Sequence, residues 1–356
     1  MENGRKLYTK IEKLGFDGAI LLDEVSQRWA TGFYITDGIV FVNAKETLLV
    51  TDSRYIEAAR KNVAPDVTAV LPGESSMLRT VYENAKKQGV KKICFDGGRL
   101  TVSELSRLQK VLEGITLTDV PALCDELRMV KTPAEIDSIR TAQSITDAAF
   151  TYICGVIKKG MTELEVAAEL EFFMRKNGAD GLAFETIAVS GPKSSLPHGV
   201  PGNVVLTENS FLTMDYGARY NGYCSDMTRT VVLGKADDEM KFIYNTVLQA
   251  QKAAIAAYRP GVTGQFVDAA ARDIIKAAGY GDNFGHSTGH SLGLEIHESP
   301  RSSVKSGDVF VPGQLMTAEP GIYLEGKYGV RIEDLLLSTE NGNEDLTKSP
   351  KELIEL

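Results

Sequence analysis

The sequence has few cysteines, few histidines and no long apolar or basic run. Its four cysteines are scattered along 356 residues and include no C-x-x-C pair. Scattered thiols of this kind are typical of reduced core residues in a cytosolic protein and argue against a disulfide framework. The first residues lack the apolar stretch of a signal peptide, and no apolar run approaches the roughly 18 residues that a membrane span needs. We therefore expect a cytoplasmic protein without a membrane segment.

The charge balance is acidic. The chain has 39 basic and 48 acidic side chains and a formal net charge of −9. A protein of this charge is a poor candidate for binding nucleic acid or an anionic membrane through a basic face. Hydrophobic residues make up 43% of the chain, which is enough for a sizeable core, and the length predicts about two domains. We expect neither nucleic acid nor a membrane as a partner.

The first third of the chain alternates helical and strand-like segments. This alternation predicts a small α/β domain over residues 1–124, and a second domain over residues 125–356. Near the boundary, Thr132, Pro133 and Glu135 form a strong helix start with a capping box, and the helix is expected to run to about Lys158. The expected segments of the first domain are strands at 19–22, 38–42, 47–51 and 93–95 and helices at the start of the chain, from about 54, near 77–88 and near 102–112.

The second domain contains a weak internal repeat. The Gly-x-Thr at residues 160–162 opens a helix that ends at Gly178, and the Gly-x-Thr at residues 261–263 opens one that ends at Gly279. Each helix follows another helix and precedes strand-rich sequence. The pattern predicts two copies of one helix-helix-strands unit, and the junction of two such halves is a common place for a functional site.

Two predicted hairpins place carboxylates inside strands. A hairpin centred between Tyr220 and Asn221 would set Asp215 directly opposite Asp226, and a hairpin centred on Gly326 would set Glu319 opposite Glu333. Like charges that face each other destabilise a sheet, and an apolar setting makes them costlier. Bound cations remove this cost, and two such pairs in two repeated halves indicate a metal site more strongly than one pair does.

The histidines support this interpretation. The chain has four, and three of them lie within the glycine-rich stretch 284–298, where glycines permit close backbone approach; the four are His198, His286, His290 and His297. Four carboxylates with one or two imidazoles form an oxygen-rich site that suits Mn, Co or Fe and accepts Zn. Four negative charges match two divalent ions, and two such ions can hold a bridging hydroxide and polarise a carbonyl group.

At these residues the sequence resembles the creatinase/prolidase/methionine-aminopeptidase family, in its proline-directed branch. The resemblance spans essentially the whole chain and includes the linker L-R-M-V-K-T-P-A-E-I. The motifs that carry it in the second domain are D-Y-G-A, Y-C-S-D-M-T-R-T, G-H-S-T-G-H-S-L-G-L-E-I-H-E, T-A-E-P-G-I-Y and V-R-I-E-D, and in the first domain W-A-T-G-F and T-D-S-R-Y.

The resemblance implies a creatinase-type α/β N-terminal domain followed by an α+β "pita-bread" catalytic domain with an internal two-fold pseudo-repeat. It implies metal-dependent hydrolysis of the Xaa-Pro bond, in dipeptides or at the N-terminus of short peptides, by a hydroxide that bridges two divalent metals. Mn or Co are the expected ions, and Zn or Fe also fit. The implied metal ligands are Asp215, Asp226, His290, Glu319 and Glu333.

Further roles follow from the same resemblance. Glu319 would exchange a proton with the attacking hydroxide, and His198 and His297 would stabilise the developing oxyanion. His286 would line the pocket for the proline ring. Arg331 would contact a metal ligand without binding the metal itself. The family also implies a homodimer in which the small domain of one subunit approaches the site of the other.

The sequence leaves the subclass open. Arg301 stands where some dipeptidases place an arginine near the free carboxylate of the substrate, which favours a dipeptidase slightly over an aminopeptidase. A broader, methionyl-type aminopeptidase and a non-catalytic binding protein on the same fold are the alternatives. Ser287 and Ser291 depart from the glycines common in relatives, and Cys224 is expected to be an inert packed thiol.

Overall fold

The computed structural model describes residues 3–72 and 76–356. The chain folds into two compact units, Met1–Arg128 and Met129–Leu356. No helix within the described residues combines the length and the apolar character that crossing a bilayer requires.

The first unit has one mixed six-stranded sheet with strand order β4-β3-β2-β1-β5-β6. Strand β2 is antiparallel to both of its neighbours, β1 and β3, and the remaining pairings are parallel. Its elements in chain order are α1 (Asn3–Lys13), β1 (Gly18–Leu21), α2 (Glu24–Thr31), β2 (Gly38–Asn43), β3 (Thr47–Thr51), α3 (Ile56–Asn62), β4 (Val67–Val70), α4 (Met77–Lys87), β5 (Lys92–Phe95), α5 (Val102–Val111), β6 (Thr116–Asp119) and α6 (Asp125–Arg128).

Hydrophobic pattern explains why this unit was predicted as α/β. Strand β3 is buried throughout, and α4 buries Leu78, Val81, Tyr82 and Ala85 on a single face. Four further elements, α2, β4, β6 and α6, did not emerge from the sequence. The two strands among them have four residues each, too few to show a clear alternation.

The second unit repeats the order helix, helix, strands. Its elements in chain order are α7 (Pro133–Val156), α8 (Glu163–Lys176), β7 (Gly181–Leu182), β8 (Ile187–Ser190), β9 (Ser210–Tyr216), β10 (Ala218–Tyr220), β11 (Tyr223–Cys224), β12 (Met227–Leu233), α9 (Asp238–Ala257), α10 (Gly264–Ala277), β13 (Gly289–Ser291), β14 (Glu298–Ser302), β15 (Leu315–Ala318), β16 (Gly321–Leu324), β17 (Tyr328–Arg331), β18 (Asp334–Thr339) and β19 (Gly342–Asp345).

The two halves share local details as well as element order. Thr162 caps α8 and Thr263 caps α10, and each side chain accepts a hydrogen bond from a backbone N–H of the first turn. Thr162 also forms an isolated antiparallel bridge with Val205, and Thr263 forms one with Val309. Separate hydrophobic clusters lie beside α7 and α8 and beside α9 and α10. The helix-helix-strands repeat predicted from the sequence is therefore present.

The first predicted hairpin register is wrong by two residues. Asp215 in β9 pairs with Thr228 in β12, not with Asp226. Asn221 and Gly222 both have positive φ, 49° and 80°, so they are the two central residues of the turn, as a type I′ Asn-Gly hairpin requires. The turn is therefore centred one residue later than predicted, and Asp226 lies between β11 and β12.

The second predicted register is correct. Gly321 pairs with Arg331 in the hairpin of β16 and β17, and Ala318 pairs with Asp334 in β15 and β18. Glu319 and Glu333 lie in the break between these two ladders, one on each chain. The break frees both carboxylates from a regular pleat, and Pro320, which has no N–H to donate, stands within it.

A buried ion-pair network joins the C-terminal segment to the central strands. The Arg229 guanidinium contacts the Asp334 carboxylate at 2.7 Å, and the two side chains are 1% and 0% exposed. Arg229 also donates to the carbonyl oxygens of Glu333, Ser349 and Pro350. Because every donor finds an acceptor, the desolvated charge is compensated.

Removing Arg229 should destabilise the second unit. Arg229→Met leaves Asp334 buried without its main partner, so we expect the free energy of unfolding to fall by about 3–5 kcal/mol in a denaturant titration. Lys235→Met is the matched control. It also breaks an ion pair to the C-terminal segment, here to Glu355, but the Lys235 side chain is largely exposed. The control should change stability little; equal losses in both variants would contradict the assignment.

Candidate metal centre

One cavity of about 640 Å³ in the second unit brings together all ten side chains that the sequence singled out. Apolar side chains, among them Phe184, Ile187 and Ile296, line part of its wall. The ten are Asp215, Asp226, His290, Glu319, Glu333, His198, His286, His297, Arg301 and Arg331. Their individual roles remain predictions, but they share one enclosed space although they come from separate strands and loops.

Four of the five predicted metal ligands have donor atoms close to one another. Single donor atoms of Asp226, His290 and Glu333 all lie within 4.8 Å of one another, and all three residues are buried. His290 Nε2 is 3.6 Å from Asp226 Oδ2 and 3.5 Å from Glu319 Oε1. Such spacings leave room for a cation between the donor atoms.

Close backbone packing explains why His290 reaches Glu319. A Cβ on Gly289 would lie 1.8 Å from the Thr317 carbonyl oxygen, so only glycine lets β13 approach β15 this closely. The His290 N–H donates to Thr317 Oγ1 at 3.1 Å, and the Glu319 N–H donates to the Thr288 carbonyl at 2.8 Å. The glycine-rich stretch therefore permits the close backbone approach that was predicted from the sequence.

Hydrogen bonding fixes the tautomer of His290. Its Nδ1 lies 3.1 Å from the Ser291 carbonyl oxygen, which can only accept, so Nδ1 carries the proton and Nε2 presents a lone pair to the carboxylates. Burial, together with neighbouring His297, lowers the pKa of His290 to about 3. The ring is therefore neutral near pH 7, as a metal ligand must be.

The carboxylates are unfavourably placed as a metal-free group. Burial raises the pKa of Asp226 and of Glu333 well above the usual range, and neighbouring carboxylates raise both further. Burial raises the pKa of Glu319 to about 8, although the Arg331 guanidinium opposes the shift. Desolvation and like-charge repulsion both disfavour ionisation here, and a cation would reverse both effects.

Asp215 and Glu333 each have one carboxylate oxygen in a hydrogen bond and one oxygen without a partner in the described part of the chain. Arg331 Nη2 donates to Asp215 Oδ2 at 2.6 Å, and Thr228 Oγ1 donates to Glu333 Oε2 at 2.7 Å. Asp215 Oδ1 and Glu333 Oε1 are buried and have no hydrogen-bond partner among the described residues. Unsatisfied buried oxygens are costly, so these two atoms fit the positions of metal-ligating atoms.

Two supporting residues were missed by the sequence analysis. Thr228 Oγ1 accepts from Arg331 Nε at 3.0 Å while it donates to Glu333, and the Tyr323 hydroxyl accepts from Arg331 Nη1 at 2.7 Å. Thr228 lies two positions after Asp226, and the period of two along an extended chain was a signal for it. The donor set as a whole, hard oxygens and one neutral imidazole, fits two divalent cations.

The other histidines fall into two groups. His286 is held: Nδ1 lies 2.8 Å from the Ser287 carbonyl, Nε2 lies 2.9 Å from the Tyr323 hydroxyl, and burial lowers its pKa to about 4. His198 and His297 are exposed to the cavity, and the described part of the chain offers their rings no hydrogen-bond partner. Their ring nitrogens are therefore available to a substrate.

Arg301, the two serines that depart from the family pattern and Cys224 can also be placed. Arg301 lies opposite His290 in the β13–β14 ladder and lines the cavity, without a hydrogen-bond or ion-pair partner among the described residues. Ser287 lines the cavity, whereas Ser291 is fully buried. Cys224 is buried, and burial raises the pKa of its thiol to about 12, as expected for an unreactive packed cysteine.

Comparison with known proteins identifies the family of both units. Residues 137–340 match metallopeptidase family M24, and residues 5–130 match the creatinase/prolidase N-terminal domain. The Xaa-Pro dipeptidase of Pyrococcus furiosus is 39% identical over 323 residues, which cover 91% of this chain and 89% of that protein.

Two solved structures have the same fold over nearly their full lengths. An Xaa-Pro dipeptidase from Bacillus anthracis has a TM-score of 0.95 at 43% identity, covering 100% of this chain and 99% of that one. An X-Pro aminopeptidase from Thermotoga maritima MSB8 has a TM-score of 0.92 at 35% identity, covering 98% of this chain and 100% of that one. The predicted family and fold class are confirmed: the chain belongs to metallopeptidase family M24.

Proposed function

We propose that the protein hydrolyses the peptide bond before proline in dipeptides or at the N-terminus of short peptides. The observation that carries the proposal is the cavity in which four carboxylates and a neutral imidazole converge beside two histidines whose rings have no hydrogen-bond partner among the described residues. Relatives at 39% and 43% identity are named Xaa-Pro dipeptidases, which supports the choice of bond.

The cations would be held by the five predicted ligands. Mn or Co are the proposed ions, and Zn or Fe would suit the same donors. When bound, two divalent metals lower the pKa of water and polarise the carbonyl group of the bond to be cleaved. The ligand residues are Asp215, Asp226, His290, Glu319 and Glu333.

Glu319 is the proposed proton carrier. Its Oε1 lies 3.5 Å from His290 Nε2, so the carboxyl group is close enough to exchange a proton with water held among the ligands. Thr317 Oγ1 lies 3.3 Å from Glu319 Oε1 and helps to fix the group. Its position next to His290 places that proton within the reaction space.

His198 and His297 are the proposed donors to the developing oxyanion. Their ring nitrogens have no protein partner in the described residues, so substrate binding costs no existing hydrogen bond. Preplaced donors of this kind stabilise a transition state without reorganisation. His297 packs edge-on against His290, with ring centroids 4.5 Å apart, which sets it beside the proposed metal position.

His286 is the proposed contact for the proline ring. It stays neutral, and its ring packs edge-on against Phe284 at 5.0 Å between centroids. An uncharged aromatic surface of this kind suits an apolar ring better than a charged side chain does. Phe184 and Ile296 add apolar area to the same cavity.

The subclass rests on Arg301, and we favour a dipeptidase. A guanidinium at the cavity wall that has no partner within residues 3–72 and 76–356 suits the free carboxylate that follows proline in a dipeptide. The Thermotoga maritima X-Pro aminopeptidase of the same fold keeps the aminopeptidase as the second candidate. The filled ligand set speaks against a non-catalytic binding protein, and nothing in the cavity favours a methionyl specificity.

The assembly is proposed from the family resemblance alone. We propose a homodimer with short proline-containing peptides as its substrates. A cytoplasmic location is proposed from the four scattered cysteines, which fit a reducing compartment.

The role of Arg301 predicts a substrate-specific defect. Arg301→Ala should raise KM for Ala-Pro about 10–100-fold through loss of a charge-assisted hydrogen bond, and should leave hydrolysis of Ala-Pro amide, which lacks the carboxylate, unchanged. Lys305→Ala, which removes an exposed neighbouring charge outside the cavity, is the control variant. Steady-state kinetics with added Mn²⁺ measures both. An equal effect on dipeptide and amide would rule out carboxylate recognition.

The carboxylate pKa values predict how metal binding responds to pH. The pKa of Glu319 is 4.5 in the unfolded chain and about 8 in the metal-free fold, so the fold favours the protonated group. Its contribution to stability is fully present below pH 4.5 and is lost as pH rises through about 8. A metal must displace this proton, so affinity should rise about tenfold per pH unit for each proton displaced.

Differential scanning fluorimetry tests this expectation. At a fixed Mn²⁺ concentration, the rise in Tm should be larger at about pH 7.5 than at about pH 6, because fewer protons compete with the metal. Glu333→Gln should abolish the rise, whereas Glu325→Gln at the exposed tip of the same hairpin should keep it. A rise that is independent of pH, or that survives Glu333→Gln, would refute the ligand assignment.

A further inference from the structure

The loop that carries His198 is fastened at both ends to one buried carboxylate. This loop, residues 190–202, begins at the end of β8 and leads toward β9. It contributes Pro197, His198 and Val200 to the cavity. Because no side-chain hydrogen bond within the described chain orients the His198 ring, the position of the ring depends on the backbone of the loop. Whatever fixes that backbone therefore also fixes the predicted oxyanion donor.

Glu163, the first residue of α8, supplies the fastening. Its Oε1 accepts from the Ser190 N–H at 2.8 Å and the Ser190 hydroxyl at 3.2 Å. Its Oε2 accepts from Lys193 Nζ at 2.7 Å and the Gly202 N–H at 3.1 Å. Donors from the beginning and the end of the loop thus share one carboxylate.

The burial of Glu163 indicates a specific role. Its side chain is 0% exposed, while its ion-pair partner Lys193 is 27% exposed. A buried charge is tolerated only when it is paired and fully hydrogen-bonded, and here four donors and the positive end of the α8 dipole meet that need. Glu165, two residues later, contrasts with it: it is exposed and bonds only to Thr162 in a capping box.

The other half of the second unit has a comparable arrangement. Asp268 on α10 is buried, and its Oδ1 accepts from the Thr288 N–H and hydroxyl at 3.1 and 2.9 Å. Arg272, paired with Asp268, donates to the carbonyl oxygens of Phe284 and His286. In both halves, the second helix holds the loop of a cavity histidine through a buried acid.

We propose that Glu163 is a positioning residue for His198. By fixing residues 190 and 202, its carboxylate sets the distance between the His198 ring and the reacting carbonyl group. The inference rests on the proposed function, because His198 is assigned there as an oxyanion donor. Glu163 itself does not line the cavity, so its effect on catalysis must pass through the loop.

A double-mutant cycle tests the proposal. Glu163→Gln turns an acceptor into an amide whose NH₂ opposes the loop donors, and it should lower kcat for Ala-Pro about tenfold with little change in KM, because small displacements of a catalytic group cost rate. In the His198→Ala background, Glu163→Gln should lower kcat no further. The control Glu165→Gln should leave kcat at the wild-type value in both backgrounds.

A second readout does not depend on activity. Amide hydrogen exchange in residues 190–202 should be faster in Glu163→Gln than in the wild type and unchanged in Glu165→Gln. If Glu163→Gln does not fold, Lys193→Gln, at a partly exposed site, replaces it in the cycle and should show a smaller loss of kcat with the same non-additivity.

The outcomes distinguish a failure of the positioning role of Glu163 from a failure of the proposed role of His198. A loss in His198→Ala with wild-type kcat in Glu163→Gln would overturn the positioning role alone. Equal factors for Glu163→Gln in both backgrounds would mean a general loss of active protein and would also overturn it. Wild-type kcat in His198→Ala would remove His198 from the proposed function, and unchanged exchange of the loop in Glu163→Gln would overturn the fastening itself.

Discussion

The mutual repulsion of four carboxylates in one cavity is the constraint on which the rest of the second unit depends. Burial and neighbouring negative charge raise the pKa of Asp226, Glu319 and Glu333 above their usual ranges. A fold that contains such a cluster must supply both rigid support and compensating positive charge. Arg331 supplies one fixed charge at Asp215, and the arrangement of the remaining oxygens fits two divalent cations.

The architecture meets this constraint by placing each carboxylate where a strand is interrupted or supported. Glu319 and Glu333 lie in the break between two hairpin ladders, and Asp226 lies in the gap between β11 and β12. The backbone bond from the Glu333 N–H to the Thr228 carbonyl, at 3.1 Å, joins the strands of the two halves at this point. The repeated helix-helix-strands unit therefore brings two carboxylate pairs into one cavity.

Much of this could be predicted from the sequence, because the signals were local. The capping box of Thr132 and Glu135 and the hairpin that sets Glu319 opposite Glu333 follow from short-range patterns, and both are present. The other hairpin was misplaced because the Asn-Gly pair at residues 221–222 was not recognised as the centre of a type I′ turn. That error shifted the register by two residues.

The support of the site could not be predicted in the same way. The Glu163 carboxylate bonds to residues 27 to 39 positions away, and nothing in the spacing of those residues distinguishes it from Glu165, which caps the helix at the surface. Tyr323 likewise reads as one more strand residue until the fold sets its hydroxyl between Arg331 and His286. Tertiary contacts of this kind depend on the assembled fold, which a local pattern does not encode.

Functional assignment follows from the cluster more directly than from any single residue. The fold and the identity to peptidases establish the family, and the identity to Xaa-Pro dipeptidases supports the choice of bond. The proposed subclass depends on Arg301 beside the same carboxylates. Each of these proposed roles depends on metal ions that bind among the four carboxylates.

The most direct test is anomalous X-ray diffraction from crystals of the Mn-loaded protein. The account predicts two anomalous peaks in the cavity, located among the four carboxylates and His290. No peak in the cavity, or a metal bound away from Asp226 and Glu333, would contradict it.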